Sequence, residues 1–378
     1  MPKVKIKKVI GYGLSSPFNN SSYLGYLDNS GLKNIGIVEV YTECGLIGYG
    51  ETYAGVYCAE LIDKIVMYLE QFLVGMDINT KEIHNKIFSI PYVGRNGVIA
   101  SVGSAINIAL YDIIGKKEKK PVYELLSTEY KDNVKVYASS GSSTYSVVQI
   151  KDDVKSIIDM GFDSYKMRIG YQDIKTDIAR VKMAREILGD RNLMIDSIMG
   201  TITPPWKLSK ALQIEKELVA YSPFWWEEPV HPTDIEGMKY LKLNSKIKIA
   251  GGEALNSKFE FEQYSKMNAV DYIQPDVTNS GGFDECLDIC EMYDVAAMHV
   301  WGSGLAISAN LHFSFSSNAV HYLEIPMMKL DITDEIMDYS ITVDNGYVTK
   351  PDVIGLGINI TDDIKEKYKL VTNSNYVI

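Results

Sequence analysis

The chain has 378 residues, 46% of them hydrophobic and 23% charged, and a net charge of −11; this length suits two domains or one barrel with an appendage. The acidic balance argues against a nucleic-acid-binding protein, which would present a basic surface, and we find no run of about 18 apolar residues that would predict a membrane span. The basic start, Met1–Ile10, lacks the apolar core of a signal peptide, so we expect a cytoplasmic protein.

The first third of the chain predicts a mixed α+β unit. Apolar and polar residues alternate from Lys3 to Gly13, and residues 35–42 and 47–51 flank a turn in the manner of a β-hairpin. The polar segment Ser15–Ser30 lies between them and predicts a loop. Apolar residues then recur at helical spacing within the stretch from Ala59 to Leu126, which indicates helices.

From Val134 onward the pattern changes to strand, loop and helix in repetition. Alternating β and α segments over about 190 residues indicate a parallel sheet, with helices in between, for example at Ile174–Leu188 and Lys207–Leu218. Eight strands favour a (β/α)₈-type barrel, although irregular first and last units leave a count of seven open. The predicted strands are Val134–Ser139, Ser164–Arg168, Leu193–Asp196, Phe224–Glu227, Ile247–Ala250, Tyr272–Gln274, Ala296–His299 and His321–Glu324.

Ionisable residues stand at or just after the ends of the later predicted strands. In a barrel, the loops that follow the strands carry the chemistry, and a charged group beside an apolar core is costly unless it is paired. One acidic residue in such a place is usually solvated or caps a helix, but an ordered set indicates a functional site. The set consists of Lys166, Arg168, Asp196, Glu227, Glu253, Asp276, His299 and Glu324.

Three members of this set have the chemistry of a metal site. Asp196, Glu227 and Glu253 each follow an apolar run, and the gaps of about 31 and about 26 residues match one βα unit apiece. The carboxylates would therefore meet at one rim and repel one another unless a hard divalent cation lay between them. Oxygen ligands without His or Cys favour Mg²⁺ or Mn²⁺ over zinc.

The remaining members indicate proton transfer. Asp276 and His299 end successive strands, close enough for the carboxylate to bind one imidazole nitrogen and raise the basicity of the other. Lys166 and Arg168 are two residues apart and so face the same side of their strand, while Glu324 on the last strand could close the ring toward Lys166. A divalent cation beside such a His and a Lys suits removal of a carbon-bound proton next to a carboxylate, which yields an enediolate.

Together these residues resemble the enolase superfamily in its mandelate racemase branch, over nearly the whole chain. The element Lys166-Met-Arg168 is similar to the family's Lys-x-Lys, and His299–Gly304 is similar to the His motif of its acid-sugar dehydratases. The other segments that carry the resemblance are Ser104–Lys116 with Pro121–Leu126, Trp226–Pro229, Gly252-Glu253 and Ile273–Gly282.

The resemblance implies a modified TIM barrel, an N-terminal α+β capping domain over its mouth and a C-terminal segment that returns to the cap. We therefore expect the capping domain over residues 1–126, the barrel over 127–330 and the returning segment over 331–378. The mobile loops of the cap would be Ser15–Ser30 and Thr52–Cys58. By analogy with the branch, a homo-oligomer is expected, often an octamer.

The resemblance also implies roles for single residues. His299, oriented by Asp276, would be the general acid and base. Glu324 would hydrogen-bond the substrate carboxylate and would then be protonated, and Lys166 would contact that carboxylate or the metal shell. The Mg²⁺ ligands would be Asp196, Glu227 and Glu253.

Other positions would bind substrate or depart from the family pattern. Tyr53 and Tyr57, in the second loop of the cap, would face the substrate, and Glu228 would form a salt bridge at the rim. Arg168 replaces the family's second lysine, and because a guanidinium stays protonated it is a poor base. Ile198 stands where many relatives have Asn, and it cannot hydrogen-bond a substrate hydroxyl.

With these departures, the resemblance implies dehydration of a sugar acid such as gluconate, galactonate, arabinonate or xylonate to the 2-keto-3-deoxy acid. Loss of one base at Arg168 favours single-base chemistry at His299. Elimination could be syn, with His299 as base and then acid, or anti, with Lys166 as base. The alternatives are a racemase or epimerase, a sugar-lactone cycloisomerase, and a relative without catalysis that acts by binding.

Overall fold

The computed structural model describes residues 4–18 and 31–372 of the chain. It begins with a three-stranded antiparallel sheet in the order β1-β2-β3, as the hairpin pattern predicts. Helices that pack on this sheet follow, and together they form a cap. The elements are β1 (Ile6–Pro17), β2 (Leu32–Thr42), β3 (Ile47–Thr52), α1 (Gly55–Cys58), α2 (Ile62–Leu73), α3 (Thr80–Phe88), α4 (Gly97–Glu118) and α5 (Val122–Leu126), with a 3₁₀ turn at Ala59–Leu61.

Helix α4 lies directly against strand β3. A Cβ atom at Gly48 or Gly50 would lie 2.0 Å or 1.9 Å from a carbonyl oxygen of the helix, so the close approach requires glycine at both positions. Among the described residues, α4 is also long and apolar enough to cross a membrane, with a mean hydropathy of 1.6. The sequence expectation that no segment qualifies was therefore wrong by composition, but 72% of the apolar window is buried inside the protein, and α4 is the core helix of the cap.

The second part is a closed barrel of eight parallel strands. The strands pair in chain order and the last pairs with the first, with Glu324 opposite Tyr137. The closure settles the strand count that the sequence left open, and every predicted strand matches an observed one to within two residues at each boundary. The strands are β4 (Asn133–Ser139), β5 (Ser164–Arg168), β6 (Asn192–Asp196), β7 (Trp225–Glu227), β8 (Ile249–Gly251), β9 (Tyr272–Ile273), β10 (Ala296–Met298) and β11 (Val320–Pro326).

One helix connects each strand of the barrel to the next, as the parallel topology requires. Local signals start several of them. The Asp173 carboxylate accepts hydrogen bonds from the backbone of Lys175 and Thr176 at the start of the second helix, and Ser303 caps the last. The helices are α6 (Val147–Asp159), α7 (Ile174–Leu188), α8 (Leu208–Leu218), α9 (Ile235–Asn244), α10 (Lys258–Met267), α11 (Gly282–Glu291) and α12 (Gly304–Ser316).

The chain after the barrel returns to the cap. Its elements are α13 (Asp331–Ile336), β12 (Val343–Asp344), β13 (Tyr347–Thr349) and α14 (Asp362–Lys367). Strand β13 adds an antiparallel edge to β4. Beyond it, the Lys365 ammonium lies 2.8 Å from the Glu39 carboxylate of β2, and the Ser15 amide of β1 donates to the Tyr368 carbonyl at 2.8 Å. These contacts hold the end of the chain against the first sheet.

The two predicted loops of the cap need correction. Residues Ser15 to Pro17 belong to strand β1, because they pair in register with residues 32–34 of β2. Phe18 pairs with Leu330 in an isolated bridge, and residues 19–30 of that prediction lie outside the described part of the chain. The other segment, Thr52–Cys58, is the end of β3 followed by the single turn of α1.

Candidate active site

The carboxylates predicted as metal ligands lie together at the C-terminal mouth of the barrel. Asp196 and Glu227 are directly opposite each other as the last residues of β6 and β7, and Glu253 follows two residues after β8. Asp196 and Glu227 are buried, and Glu253 is half-buried. Parallel strands in register bring their ends to one rim, so the strand-end rule located these residues.

Lys166 lies among these carboxylates. Its ammonium is 2.7 Å from Glu227 Oε1, 3.1 Å from Glu324 Oε1 and 3.7 Å from Asp196 Oδ2. Burial alone would lower the pKa of Lys166, but Glu227 and Glu324 outweigh it and raise that pKa well above its usual range. The side chain on β5 is thus a buried cation, and the ring from Lys166 to Glu324 predicted from the sequence is present.

The mouth of the barrel fits a hard divalent cation by its donor chemistry. Within residues 4–18 and 31–372, no three His, Cys, Asp or Glu side chains are already arranged as a metal site, because Lys166 and His299 each hold a carboxylate. Burial raises the pKa values of Asp196, Glu227 and Glu253, and the repulsion among the three carboxylates raises them further. An oxygen-ligated dication would relieve this repulsion.

Glu228 is a further buried carboxylate at this mouth, and the interpretation of it as a rim salt bridge was wrong. Its backbone has φ 40°, so the strand ends at Glu227 and side chains no longer alternate. Oε2 accepts a hydrogen bond from the Gly200 amide at 3.2 Å, while Oε1 is buried without a hydrogen-bond partner among the described residues. Burial and the nearby carboxylates of Glu253 and Asp196 raise the pKa of Glu228 well above its usual range.

Ile198 occupies a strained backbone position beside these carboxylates. Its φ is 47°, in the left-handed region that a β-branched residue rarely adopts and that Asn tolerates far better. The Ile198 amide donates to Asp196 Oδ1 at 2.7 Å, so the unusual conformation turns the backbone onto the carboxylate. The Ile198 side chain offers no hydrogen bond, so at this position only the backbone amide donates.

His299 and Asp276 form the hydrogen-bonded pair that the sequence predicted. His299 Nδ1 lies 3.0 Å from Asp276 Oδ2, and the other carboxylate oxygen accepts from Thr278 and from Asn310. His299 Nε2 faces the mouth, 3.3 Å from Glu253 Oε2. Burial lowers the pKa of His299, but the carboxylates around it outweigh burial and raise it to about 9.

Glu324 is charged in the protein without ligands. Burial raises the pKa of this carboxyl group, but Lys166, His299 and Arg168 lower it to about 2. Three cations converge on the end of β11, and the protonation expected when substrate binds stays a prediction. The Val300 amide also donates to Glu324 Oε2 at 3.2 Å, which favours the charged form.

Arg168 and the two tyrosines of the cap border the same mouth. The Arg168 guanidinium donates to the Ser140 carbonyl and to Ser139 Oγ, both at 3.0 Å. The Tyr53 ring lies edge-on to His299, with ring centroids 5.5 Å apart, and the hydroxyls of Tyr53 and Tyr57 are 3.2 Å apart. All three residues predicted to bind substrate are thus near the mouth.

The sequence reasoning missed two residues of the cap. Glu51, at the end of β3, accepts hydrogen bonds from the Ser303 amide at 2.9 Å and from the Ala306 amide at 3.1 Å. It thereby ties the cap to the loop after β10 that carries His299. Lys33, at the start of β2, is buried over the indole of Trp301. Lys33 carried no clear signal in the sequence, because it precedes the apolar run at residues 35–42.

Comparisons with known proteins agree with this geometry. The enolase C-terminal domain-like family matches residues 149–364, and the N-terminal domain family of mandelate racemase and muconate lactonizing enzyme matches residues 30–127. The chain belongs to the enolase superfamily, in its mandelate racemase branch. Its fold and the strand-end positions of Asp196, Glu227 and Glu253 are those expected from the resemblance.

Members with different reactions resemble the chain to a similar degree. It is 30% identical to an arabinonate dehydratase of Saccharolobus solfataricus, with 88% of this chain and 89% of that protein covered. It is 28% identical to a D-galactarolactone cycloisomerase of Agrobacterium fabrum, with 88% and 91% covered. A racemase structure from Streptomyces coelicolor A3(2) with bound magnesium superposes with a TM-score of 0.82 at 25% identity, covering 96% of this chain and 98% of that one.

Proposed function

We propose that this enzyme dehydrates a sugar acid, an aldonate or a close relative, to its 2-keto-3-deoxy acid with Mg²⁺ as cofactor. The supporting observation is the asymmetry of acid and base groups at the mouth. His299 is oriented by Asp276 and faces the site through Nε2, whereas Arg168 is fixed to Ser139 and Ser140 and stays protonated. Syn elimination needs only one group that serves as base and then acid on one face, whereas racemisation needs a base on each face.

Asp196, Glu227 and Glu253 would hold the metal. When bound, Mg²⁺ or Mn²⁺ supplies positive charge that stabilises the charge developing on the substrate carboxylate. We assign Lys166, whose ammonium lies between Glu227 and Glu324, to bind an oxygen of the same carboxylate. Glu324 would have to take up a proton before it could donate to that carboxylate.

The reaction breaks one C–H and one C–O bond. The C2 proton passes to a base, the C3 hydroxyl takes a proton from His299 and leaves as water, and the resulting enol tautomerises to the ketone. If the elimination is syn, His299 serves both steps; if it is anti, Lys166 is the base and must first lose the proton that Glu227 and Glu324 stabilise on it. Tyr53, beside His299, and Tyr57 would cover the sugar and exclude water.

The proposal is tested by incubating the protein and Mg²⁺ with a library of aldonates and aldarates and assaying keto-acid formation. The variant His299→Asn keeps a donor for Asp276 but loses the acid, and we expect its kcat to fall about 10³-fold. The matched control is His231→Asn, because among the described residues the His231 side chain hydrogen-bonds only Thr233. Full activity of His299→Asn would remove His299 from the mechanism.

The second candidate is an isomerisation, by a racemase, epimerase or lactone cycloisomerase. It is favoured by the similarity to the cycloisomerase and to the racemase structure. Running the reaction in D₂O separates the two, because isomerisation exchanges the C2 proton for deuterium without forming a keto acid. Under either reaction we expect a cytoplasmic homo-oligomer and a division of the chain near residues 126 and 330.

A further inference from the structure

Lys33 is a buried lysine whose ammonium has no hydrogen-bond acceptor among residues 4–18 and 31–372. The side chain extends from β2 of the cap and is 1% exposed. Among the described residues, no oxygen accepts a hydrogen bond from Nζ. A buried ammonium has three donors, and leaving them unmade is among the costliest arrangements in a protein interior. A group of this kind in a folded protein points to a partner that binds there.

Among the described residues, the charged groups near Lys33 do not supply that partner. The carboxylates that act electrostatically on Lys33 are Glu51, Glu324 and Asp276. Glu51 is occupied by the amides of the loop after β10, Glu324 by Lys166 and a backbone amide, and Asp276 by His299 and its neighbours. Each is engaged elsewhere, so Lys33 keeps its donors for a ligand.

The lysine shares an aromatic platform with a second cation. Lys33 Nζ lies 3.7 Å from the centre of the Trp301 ring, and the guanidinium carbon of Arg168 lies 5.1 Å from the same centre. Trp301 follows His299 by two residues, so the platform is at the mouth of the barrel. The indole offsets part of the charge on both cations, but it provides no oxygen.

We propose that Lys33, together with Arg168 on the face of Trp301, forms an anion subsite that binds a second negatively charged group of the substrate, remote from the carboxylate at the metal. The preferred sugar acid is then a diacid, an aldarate. This inference rests on the proposed function for its reaction. An anion fits better than a hydroxyl because two cations next to each other repel, and a carboxylate neutralises both while it accepts hydrogen bonds.

The test compares substrates that differ at one carbon. Galactarate and galactonate have the same stereochemistry and differ only in the carboxylate or hydroxymethyl group at C6; glucarate and gluconate form a second pair. For the wild type we expect tighter binding and a higher kcat/KM for a diacid than for its monoacid. In Lys33→Met, kcat/KM for the diacid falls about 100-fold, while that for the monoacid changes less than about 3-fold.

Two further variants separate recognition from folding. Lys33→Arg retains the charge and should retain most of the preference for the diacid. Lys86→Met is the matched control, because Lys86 is an exposed lysine of the cap that also faces an aromatic ring, Phe72. We expect no change in Lys86→Met. The thermal midpoint of Lys33→Met should equal or exceed that of the wild type, because methionine removes an unsatisfied buried ammonium.

The outcomes are distinct from failure of the proposed function. Binding is measured by titration calorimetry with Mg²⁺ present, which needs no turnover. If no acid is dehydrated, the dehydratase proposal fails, and a calorimetric preference for diacids that Lys33→Met abolishes still supports the subsite. Equal binding of diacid and monoacid in both pairs, including no binding at all, overturns it. A lower midpoint with equal losses on both substrates identifies a structural lysine and also overturns it.

Discussion

The two ends of the barrel interior are formed by the same strands but contain different kinds of side chain. The end away from the mouth, which we call the floor, is filled by aromatic rings packed 5.2 to 6.4 Å apart, centre to centre. The mouth is filled by charged groups that hold one another. The floor residues stabilise the fold because they remove apolar surface from water. The mouth residues are charged and depend on one another for partners, and some of them keep polar groups that a ligand would satisfy. The rings of the floor are Tyr137, Phe224, Trp225, Tyr272 and Tyr322.

The largest effect is expected at the floor. Trp225 is fully buried, and its ring lies edge-on to Tyr137 and Tyr322. Trp225→Ala should lower the free energy of unfolding by about 3–5 kcal/mol, because it removes the largest ring and leaves a cavity. Urea denaturation measures the loss.

The indole nitrogen of Trp225 also donates to Glu227 Oε2 at 3.2 Å, so the ring reaches the mouth. Trp225→Phe keeps an aromatic ring without this donor and should lose about 1 kcal/mol, mainly the hydrogen bond. If Trp225→Phe lost as much as Trp225→Ala, the mouth rather than ring packing would account for the stability, and the contrast between the two ends would be wrong.

The mouth should respond to the metal, and the floor should not. At a Mg²⁺ concentration of about 100 times Kd, the free energy of unfolding should rise by about 2.7 kcal/mol, since the ion binds the folded state alone. Asp196→Asn should abolish this gain. Trp225→Phe, with the ligands intact, should retain it. A gain that survives in Asp196→Asn would place the ion elsewhere.

The strand-end rule predicted most of the mouth because barrel topology fixes it. Asp196, Glu227 and His299 could be located from spacing alone, since each follows its strand at the same rim. Glu228 could not, because its direction depends on a left-handed backbone angle that no spacing reveals. The charge of Glu324 also could not, because it depends on three cations from other strands.

The residues that the cap contributes to the mouth could not be predicted, for a different reason. Lys33 and Glu51 belong to a sheet whose hairpin is predictable, but the way this sheet sits on the barrel is set by tertiary packing. The approach of α4 to β3 through Gly48 and Gly50 is one such contact. Sequence patterns report which residues share a strand face, and they do not report which domain that face meets.

The pKa of Lys33 allows a sharper test of whether the mouth contains a buried charge that costs stability. Burial lowers its pKa to about 7, although Glu51 opposes the shift, while Arg168 adds to it. The unfolded chain holds this proton up to a pKa of about 10.4. Between these values the unfolded state binds more protons, so the wild type gains stability as pH rises, and below about pH 7 the full cost of the buried charge is present.

Lys33→Met has no ammonium group, so its folded state does not carry the free-energy cost of a buried charge. Its advantage in unfolding free energy over the wild type should therefore be greatest below about pH 7 and shrink by about 2 kcal/mol between about pH 7.5 and pH 9. Urea denaturation of both proteins at each pH measures the difference. Because the comparison is between variants, titration of other groups cancels. An advantage that does not change with pH would mean that Lys33 is not a buried cation.

Tyr137 lies at the boundary between floor and mouth and should show the smallest effect. Its ring packs on Trp225, while its hydroxyl is buried without a partner among the described residues. Burial, and then the Glu324 charge, raise the pKa of Tyr137 well above its usual range, so the hydroxyl keeps its proton. Tyr137→Phe removes an unsatisfied polar group and should leave stability unchanged or raise it by up to about 1 kcal/mol.

The kcat/KM of Tyr137→Phe shows whether Tyr137 belongs to the floor or to the mouth. If it is a floor residue, Tyr137→Phe should keep kcat/KM within about 3-fold of the wild type, since a missing hydroxyl alters no packing. A fall of about 10-fold or more at unchanged stability would instead mean that the hydroxyl binds substrate. The ligand-binding region would then extend deeper into the barrel than the Lys166 ammonium, which lies 5.5 Å from the Tyr137 ring. Stability and kcat/KM measured on one variant thus locate the boundary where ring packing ends and ligand binding begins.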